Sequence, residues 1–264
     1  MMAKKSEYKD SVNIAAVERT LRLMETICYE DKEMGIKDIA EAMGEYPSTI
    51  YRVISTLMNH GYLYQNPDNS KYGLGYKVHL LGRNVEKNSS LIKIAKPYAE
   101  DLAREFKECV NVAVRDYSRT DDYYAITIHQ EKGGKRQLMI SESFSEPYRC
   151  YYSSVGKVLL AYSDDLSYEV IKRHKFVPYT PYTITDPEAF REELKKIRER
   201  GYAVDDMEQE MGLCCVGCPV LNKEGHAVMA LSVSGYEGNI KALGYENIAS
   251  ELKKACGEMS QQIR

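Results

Sequence analysis

Hydroxyl, aromatic and guanidinium side chains share one face of a short segment near the N-terminus. They are Ser48, Thr49, Tyr51, Arg52 and Ser55. These residue types donate hydrogen bonds, and a helix that carries them on one face can contact base edges and phosphates in the major groove of duplex DNA. The pattern predicts a surface that binds nucleic acid. Lys71, in the hairpin that follows, is expected to add a cation to it.

Two helices joined by a tight turn must position these side chains, within the segment Gly35–Gly61. Gly44 ends the first helical pattern, and Pro47 begins the second. We expect the Ser48 or Thr49 hydroxyl to accept a hydrogen bond from an exposed backbone amide at the start of the second helix. The apolar residues at helical spacing are Ile36, Ile39, Ala40 and Met43 in the first helix, and Ile50, Val53, Ile54 and Leu57 in the second. A helical hairpin inside an all-helical core would show the same pattern.

A small hairpin after these helices favours a winged helix-turn-helix. Tyr62–Tyr64 and Lys71–Leu74 read as strands, and Asn66–Ser70 reads as a polar turn that would lie beside the phosphate backbone. Upstream, a first amphipathic helix is expected to cover the other two helices with an apolar stripe made of Ile14, Val17, Leu21, Met24 and Cys28. Three helices and a wing would complete a small domain.

The overall charge does not by itself mark a nucleic-acid binder. The 264-residue chain has a net charge of −3, and residues 1–85 hold 11 Lys and Arg against 11 Asp and Glu. Contact with DNA must therefore depend on where individual cations lie and on multiplying the sites by oligomerisation. We expect a homodimer or homotetramer.

The remaining composition points to a cytoplasmic protein. No apolar run approaches the roughly 20 residues of a membrane span, and Met1–Asp10 lacks the apolar core of a secretory signal. Seven cysteines at irregular spacing fit a reducing compartment better than a disulfide framework. The sequence predicts no membrane association, cofactor or bound metal.

The chain reads as an α+β protein of two domains. We predict a winged helix-turn-helix at residues 1–74, a linker helix at 75–90 and a second domain at 91–264, with an antiparallel sheet flanked by helices. Its predicted strands are residues 111–116, 123–130, 137–143, 214–221 and 226–235. Its predicted helices are a long amphipathic helix through Leu91 to Phe106, followed by 166–174, 187–200 and 247–263.

The sequence resembles the IclR-type transcriptional regulators over nearly its whole length. The winged helix, the segment YYSSVGKVLLA and above all RGYAVDDMEQEMGLCCVGCPVLNKEGHAVMALSVSG carry the resemblance. It implies a GAF-like effector-binding domain, an oligomer, a double-stranded DNA operator as partner, and a small organic effector that changes operator affinity. A free-standing small-molecule sensor that does not bind DNA is the alternative.

The resemblance also implies an effector site. Its residues here are Ser154, Val155, Gly156, Asp205, Cys215, Ser232 and Ser234, with Ile140, Tyr148 and Leu213 as candidates for an apolar wall. If residues 222–225 centre the hairpin, Cys215 lies opposite Ser232, and Ser232 and Ser234 share a face. Backbone amides of Ser154–Gly156, leading into a helix at Lys157, could bind a carboxylate. Ser154, followed by Val155, departs from the family pattern, and the wall candidates include Tyr148. The resemblance therefore leaves the identity of the effector open, including whether it is one of the short keto acids that some relatives bind.

Two other chemistries are compatible with short motifs. Ser154 and Lys157 form Ser-x-x-Lys, in which a lysine can activate a serine nucleophile, but the companion motifs of penicillin-recognising enzymes are missing. Cys214, Cys215 and Cys218 could hold a metal or act in redox chemistry, but a second pair of ligands is missing. We therefore expect no catalytic residues and no metal site.

Overall fold

The computed structural model describes residues 14–30, 32–117, 123–134, 147–163, 171–172 and 174–263. The chain divides into two compact units, Met1–Lys87 and Asn88–Arg264. The strand predicted at 137–143, the wall residue Ile140 and most of the helix predicted at 166–174 lie outside the described residues. Within the described ranges, no helix is both long enough and apolar enough to cross a membrane.

The N-terminal unit is a winged helix-turn-helix, which confirms the predicted architecture. Its helices are α1 (Ala15–Tyr29), α2 (Ile36–Met43), α3 (Pro47–Asn59) and α4 (Tyr76–Asn88), and its wing consists of β1 (Leu63–Gln65) and β2 (Tyr72–Leu74). The two wing strands are antiparallel, with Leu63 opposite Leu74. A bridge between Met34 and Tyr72 ties the wing to the connection between α1 and α2.

The core of this unit lies among the three first helices. The predicted apolar face of α3 is confirmed, since Ile50, Ile54 and Leu57 are buried. Of the stripe predicted for α1, only Met24 packs against the core, beside the buried Leu23 and Ile27. Val17 and Leu21 are more than half exposed, as is Ile14 just before the helix, and Cys28 is exposed. Helix α1 has apolar residues on two faces, and spacing alone does not say which face meets the core.

The start of α3 also differs from the prediction. Tyr46 is the N-cap and Pro47 is the first helical residue, but neither Ser48 nor Thr49 supplies a capping side chain. Proline has no N–H to satisfy and already has a helical φ, so it can begin a helix without a side-chain cap. The turn before it forms because Gly44 takes a left-handed conformation (φ 65°) that ends α2.

The C-terminal unit is a six-stranded antiparallel sheet with helices on both faces, as predicted for the fold class. The strands are β3 (Cys109–Asp116), β4 (Tyr124–Glu131), β5 (Tyr148–Arg149), β6 (Ala203–Asp206), β7 (Leu213–Leu221) and β8 (Ala227–Tyr236). The helices are α5 (Ser90–Phe106), α6 (Ser154–Ala161), α7 (Pro187–Arg200), α8 (Glu237–Leu243) and α9 (Tyr245–Gln262). The strand order is β5-β4-β3-β8-β7-β6.

Side chains that alternate along the strands point to opposite faces of the sheet and pack into two separate hydrophobic cores. On one face, Val110, Val216 and Leu231 pack with residues of α5 and α9. On the other face, Ala113 and Ala230 pack with residues of α6 and α7. The sequence predicts α7 well, because Asp186 accepts the Ala189 amide at 2.8 Å and Pro187 is the first helical residue. We call the face that α6 covers the α6 face.

The hairpin of β7 and β8 has a different register from the predicted one. Cys215 lies opposite Ser234, and Ser232 lies opposite Gly217. The loop includes His226, whose carbonyl accepts the Asn222 amide, and an irregularity at Val220 and Leu221 adds another residue on β8. The pairing therefore shifts by two residues. Because side chains alternate with a period of two, Cys215 keeps its face although its partner changes.

Candidate functional site

The face of α3 opposite its core side is open to solvent. Tyr51 is 57% exposed, Ser48 and Arg52 are also exposed, and Thr49 and Ser55 are half-buried. The Ser55 hydroxyl donates to the Tyr51 carbonyl at 2.8 Å, so it is already used inside the helix. A phosphate only accepts hydrogen bonds, and Ser55 would have to give up this bond to contact one. Tyr51 and Arg52 are thus better placed to contact DNA than Ser55.

The wing is held by an acidic residue that the sequence analysis did not single out. The Glu33 carboxylate accepts hydrogen bonds from the Tyr64 hydroxyl at 2.7 Å, the Asn66 amide at 2.9 Å and the Asn69 amide at 2.7 Å. These bonds, that of Asn69 first, lower the pKa of Glu33. Two asparagines that were expected to lie beside phosphates therefore face Glu33 instead. Lys71 remains exposed at the wing.

The candidate effector residues form two rows across the α6 face of the sheet. One row runs through Asp205, Cys215, Ser234 and Cys109 on successive strands, and the next runs through Ala203, Gly217, Ser232, Asn111 and Gln130. The Ser232 and Ser234 hydroxyl oxygens lie 3.3 Å apart, and both residues are 2% exposed. The strand pairing thus brings together Asp205, Cys215 and both serines.

Helix α6 begins over the second row. Gly217 allows this approach, because a Cβ on it would lie 2.9 Å from the Ser154 carbonyl carbon. The helix begins at Ser154, earlier than the predicted start at Lys157. The Ser153 hydroxyl accepts the Gly156 amide at 3.1 Å, so that amide is not available to a ligand. The Ser154 and Val155 amides belong to the first turn, where an α-helix offers no internal acceptor.

A buried charged cluster adjoins Asp205. Lys157 is fully buried, and its Nζ donates to Glu208 Oε1 and to the Val204 carbonyl. Asp205 Oδ1 accepts the amides of Glu208 and Gln209, at 2.7 and 3.3 Å, while Oδ2 has no hydrogen-bond partner among the described residues. Burial raises the pKa of Asp205 to about 7, and the Lys157 ammonium opposes that rise.

Two amide side chains in the second row were also missed. The Asn111 amide donates to Ser234 Oγ at 3.1 Å and to Ser232 Oγ at 3.5 Å, and its Oδ1 accepts from Gln130 Nε2 at 2.8 Å. No local motif identifies them, because Asn111 and Ser232 are 121 positions apart in the chain. The alternation of polar Asn111 with buried Val110 and Val112 was the available signal.

The apolar wall candidates occupy different places. Leu213 is buried at the start of β7, two residues before Cys215 and on the same strand face. Tyr148 is buried on edge strand β5, with its hydroxyl 3.2 Å from Thr127 Oγ1. Burial raises the pKa of the Tyr148 hydroxyl, which keeps it a neutral hydrogen-bonding group.

The Ser-x-x-Lys motif and the three neighbouring cysteines have contacts that do not support acyl transfer or metal binding. The Lys157 amine forms an ion pair with Glu208, so it is not free to take a proton from Ser154. Cys214 and Cys218 lie on one face of β7 and Cys215 on the other, since their positions differ in parity. Within the described ranges, no group of three His, Cys, Asp or Glu side chains could hold a metal ion.

Comparison with known proteins gives matches over both units. A family model described as IclR helix-turn-helix domain matches residues 16–67, and one described as Bacterial transcriptional regulator IclR C-terminal matches residues 84–261. The HTH-type transcriptional regulator XynR of Escherichia coli is 29% identical over 251 residues, which cover 95% of this chain and 97% of XynR.

Solved structures share the fold. The IclR transcriptional regulator of Alicyclobacillus acidocaldarius has a TM-score of 0.84 at 23% identity, and the match covers 94% of this chain and 98% of that one. An IclR homologue of Microbacterium hydrocarbonoxydans, solved as a complex with 4-hydroxybenzoate, has a TM-score of 0.77 at 21% identity, and the match covers 95% of this chain and 99% of that one.

Proposed function

This chain belongs to the IclR family of transcriptional regulators, and from that premise we propose how its two units divide the work. The protein is a DNA-binding transcriptional regulator with a helix-turn-helix domain and a C-terminal effector domain. In our proposal α3 reads an operator half-site with Ser48, Thr49, Tyr51, Arg52 and Ser55, while Lys71 contacts the backbone from the wing. The protein acts in the cytoplasm, has no catalytic residues, and takes a small organic effector as its regulatory partner.

The effector site in this proposal lies between the two rows of the sheet and the start of α6. The helix end consists of Ser154, Val155 and Gly156, the polar floor of Asp205, Cys215, Ser232 and Ser234, and the apolar wall of Tyr148 and Leu213. Ile140, the third wall candidate, lies outside the described residues. The helix N-terminus and the serine hydroxyls favour an effector that bears a carboxylate, because both offer hydrogen-bond donors to negative charge. The 4-hydroxybenzoate bound to the Microbacterium hydrocarbonoxydans homologue is such an acid.

Oligomerisation completes the proposal. The N-terminal unit holds a balance of charges, and one half-site contact supplies few cations. The exposed apolar residues of α1 and α4 support pairing of two chains through these helices, as a homodimer or within a homotetramer. Two recognition helices would then read half-sites about one duplex turn, or a multiple of it, apart. The effector would act through its difference in affinity for two arrangements of the subunits.

The observation that carries the DNA-binding assignment is the division of α3 into a buried apolar face and an exposed face with hydroxyls, a tyrosine and an arginine. The test is selection of bound fragments from genomic DNA by the full chain, with and without a panel of metabolites. We expect a pseudo-palindromic site and at least one metabolite that changes the enrichment. If no fragment is enriched under any condition, the proposed recognition surface is wrong.

A further inference from the structure

Two side-chain amides, Asn111 and Gln130, lie beside the two serines of the effector site, on the neighbouring strands of the sheet. Gln130 Nε2 donates to Asn111 Oδ1 at 2.8 Å, and the Cys109 thiol lies 3.6 Å from the same oxygen. Asn111 Nδ2 in turn donates to Ser234 at 3.1 Å and to Ser232 at 3.5 Å. Because its carbonyl oxygen already accepts from two donors, the NH₂ group of Asn111 is the end that faces the serines.

This orientation decides how the serine hydroxyls are used. A hydroxyl has one hydrogen to donate, and here both hydroxyl oxygens accept from Asn111. The hydroxyl hydrogens must therefore point elsewhere. The Ser234 hydroxyl also forms a hydrogen bond with the Cys215 side chain. When Ser234 donates to that sulfur, the hydrogen of Ser232 is the one that a ligand oxygen can accept in place of the Ser234 oxygen, 3.3 Å away. The polar floor thus offers a donor at Ser232.

We propose that Asn111, oriented by Gln130, is a specificity-determining positioning pair that makes the serines select an effector oxygen that only accepts hydrogen bonds. A carboxylate or ketone oxygen can accept a hydrogen bond from the serine end of the polar floor. An amide nitrogen or a protonated amine only donates hydrogen bonds and does not fit there. The inference rests on the proposed effector site and names the chemistry of its serine end.

The opposite end of the row has the opposite character. Asp205 lies two strands from Ser234, across Cys215, and its Oδ2 has no hydrogen-bond partner among the described residues. Strands lie about 4.8 Å apart, so these ends are about 10 Å apart. When it is ionised, Asp205 offers an acceptor, whereas the serine end offers a donor. A bound acid is therefore directed with its carboxylate toward Ser232 and Ser234 and with any hydroxyl toward Asp205.

The test reverses the amide chain without removing a serine. Asn111→Asp puts carboxylate oxygens where the NH₂ group lies, and Gln130→Glu replaces the donor to Asn111 by an acceptor, which turns the Asn111 amide over. Both changes draw the serine hydroxyl hydrogens toward residue 111. Asn247→Asp makes the same chemical change on the exposed surface of α9 and is the matched control.

Binding of two matched pairs of probes to the full chain is measured by calorimetry. The pairs are 4-hydroxybenzoate with 4-hydroxybenzamide, and pyruvate with pyruvamide. We expect the wild type to bind at least one acid about tenfold more tightly than its amide, and both Asn111→Asp and Gln130→Glu to abolish that preference. Asn247→Asp should keep it. A preference that survives in both site variants overturns the inference while leaving the effector site intact.

A second measurement does not depend on a ligand. In the unliganded full chain, the Asn111 side-chain NH₂ signals in nitrogen-resolved NMR should be protected from exchange and should shift in Ser232→Ala and in Ser234→Ala. The inference is overturned if these signals exchange freely with solvent and their chemical shifts do not change in either variant. If the wild type binds neither acid but these signals behave as expected, the carboxylate assignment of the proposed function fails and the orientation of Asn111 stands.

Discussion

At the scale of single residues, identity and environment together decide which candidate groups are available for binding. Arg52 is exposed on α3, whereas the Ser55 hydroxyl is bonded to its own helix. Asp205 is buried and one of its oxygens has no hydrogen-bond partner in the described part of the chain, whereas Lys157 is paired with Glu208. The fold thus leaves Arg52 and Asp205 available to bind a partner, whereas Ser55 and Lys157 are already bonded within the protein. The next predictions concern Arg52 and Asp205.

Replacing Arg52 with alanine should weaken specific operator binding. The guanidinium is the only side chain on the predicted reading face that is always charged, and a good contact to a base or phosphate contributes at least ~1 kcal/mol. A gel-shift titration of the selected operator at fixed salt measures the loss. Lys195→Ala, an exposed cation on α7, is the control and should bind like the wild type. Equal affinity of Arg52→Ala and wild type would remove Arg52 from the reading face.

Asp205 should make folding stability depend on pH. Because burial raises its pKa to about 7 from 3.8, the folded protein holds a proton between those values that the unfolded chain has released. The contribution of this group to stability is complete below about pH 4 and falls as pH rises through the window toward 7. The slope is on the order of 1 kcal/mol per pH unit before the neighbouring Lys157 and Glu208 charges modify it.

Asp205→Asn tests this coupling, since the amide oxygen can still accept the Glu208 and Gln209 amides. Urea unfolding at a series of pH values from 5 to 8 gives the free energy of unfolding of variant and wild type. We expect the variant to gain stability relative to wild type as pH rises. A difference that does not change across this range would show that the carboxyl is ionised throughout.

At the scale of elements, close approaches of backbone position the site. Helix α6 can lie over the sheet because Gly217 meets the Ser154 backbone, and its first turn is closed by Gly156 against Cys150. Strand pairing sets the rows, and the shifted register of the β7–β8 hairpin decides that Cys215 faces Ser234. On the N-terminal unit, hydrogen bonds to Glu33 fix the wing. Apart from the contact of Gly156 with Cys150, these positions depend on residues from separate elements.

A methyl group on Gly156 should disrupt the start of α6. Its Cβ would lie 2.4 Å from the Cys150 Cα and carbonyl oxygen, which are backbone atoms that cannot move alone. We expect Gly156→Ala to lower the free energy of unfolding by roughly 3 kcal/mol, the upper end of typical overpacking costs. Chemical denaturation measures the change, and a loss below the error of the fit would mean that the turn adapts.

Gly257→Ala is the matched control for this prediction. Gly257 lies in α9, where an added Cβ meets no atom of the described residues within 4 Å apart from its chain neighbours and the backbone of its own helix. Alanine in an exposed helix interior is favoured over glycine by about 1 kcal/mol. The same substitution should therefore stabilise the protein at position 257 and destabilise it at position 156.

At the scale of the whole molecule, exposed apolar side chains of the N-terminal unit are the basis of the proposed association of chains. Val17 and Leu21 of α1, Ile14 just before it, and Leu80, Leu81 and Val85 of α4 are all more than half exposed. Helix α4 has no buried residue. Exposed apolar side chains on an isolated chain would favour aggregation, and the proposed burial between two chains would remove them from water.

Acidic substitutions on α4 test this role. We expect the double variant Leu81→Asp with Val85→Asp to shift the protein toward monomer at micromolar concentration and to lower its affinity for a two-half-site operator, because buried unpaired carboxylates oppose association. Analytical ultracentrifugation measures the mass. Arg83→Asp, almost opposite Leu81 on the helix, is the control. A double variant with the mass of the wild type would place the interface elsewhere.

The sequence by itself determined the class of the two domains and most of the elements. Caps such as Asp186 with Pro187, the left-handed stop at Gly44 and the apolar face of α3 are local signals, because they act within one or two helical turns. The family resemblance added the candidate effector residues. These features need no knowledge of distant partners.

Only the tertiary structure decided the buried face of α1, the partner of Cys215 and the roles of Asn111, Gln130 and Glu33. Helix α1 has apolar residues on two sides; Leu23 and Ile27 are buried in the core, and Val17 and Leu21 are exposed. The amide chain joins strands more than 100 positions apart. Contacts between distant residues depend on register and on packing across the sheet, and neither is encoded in the local spacing of side chains.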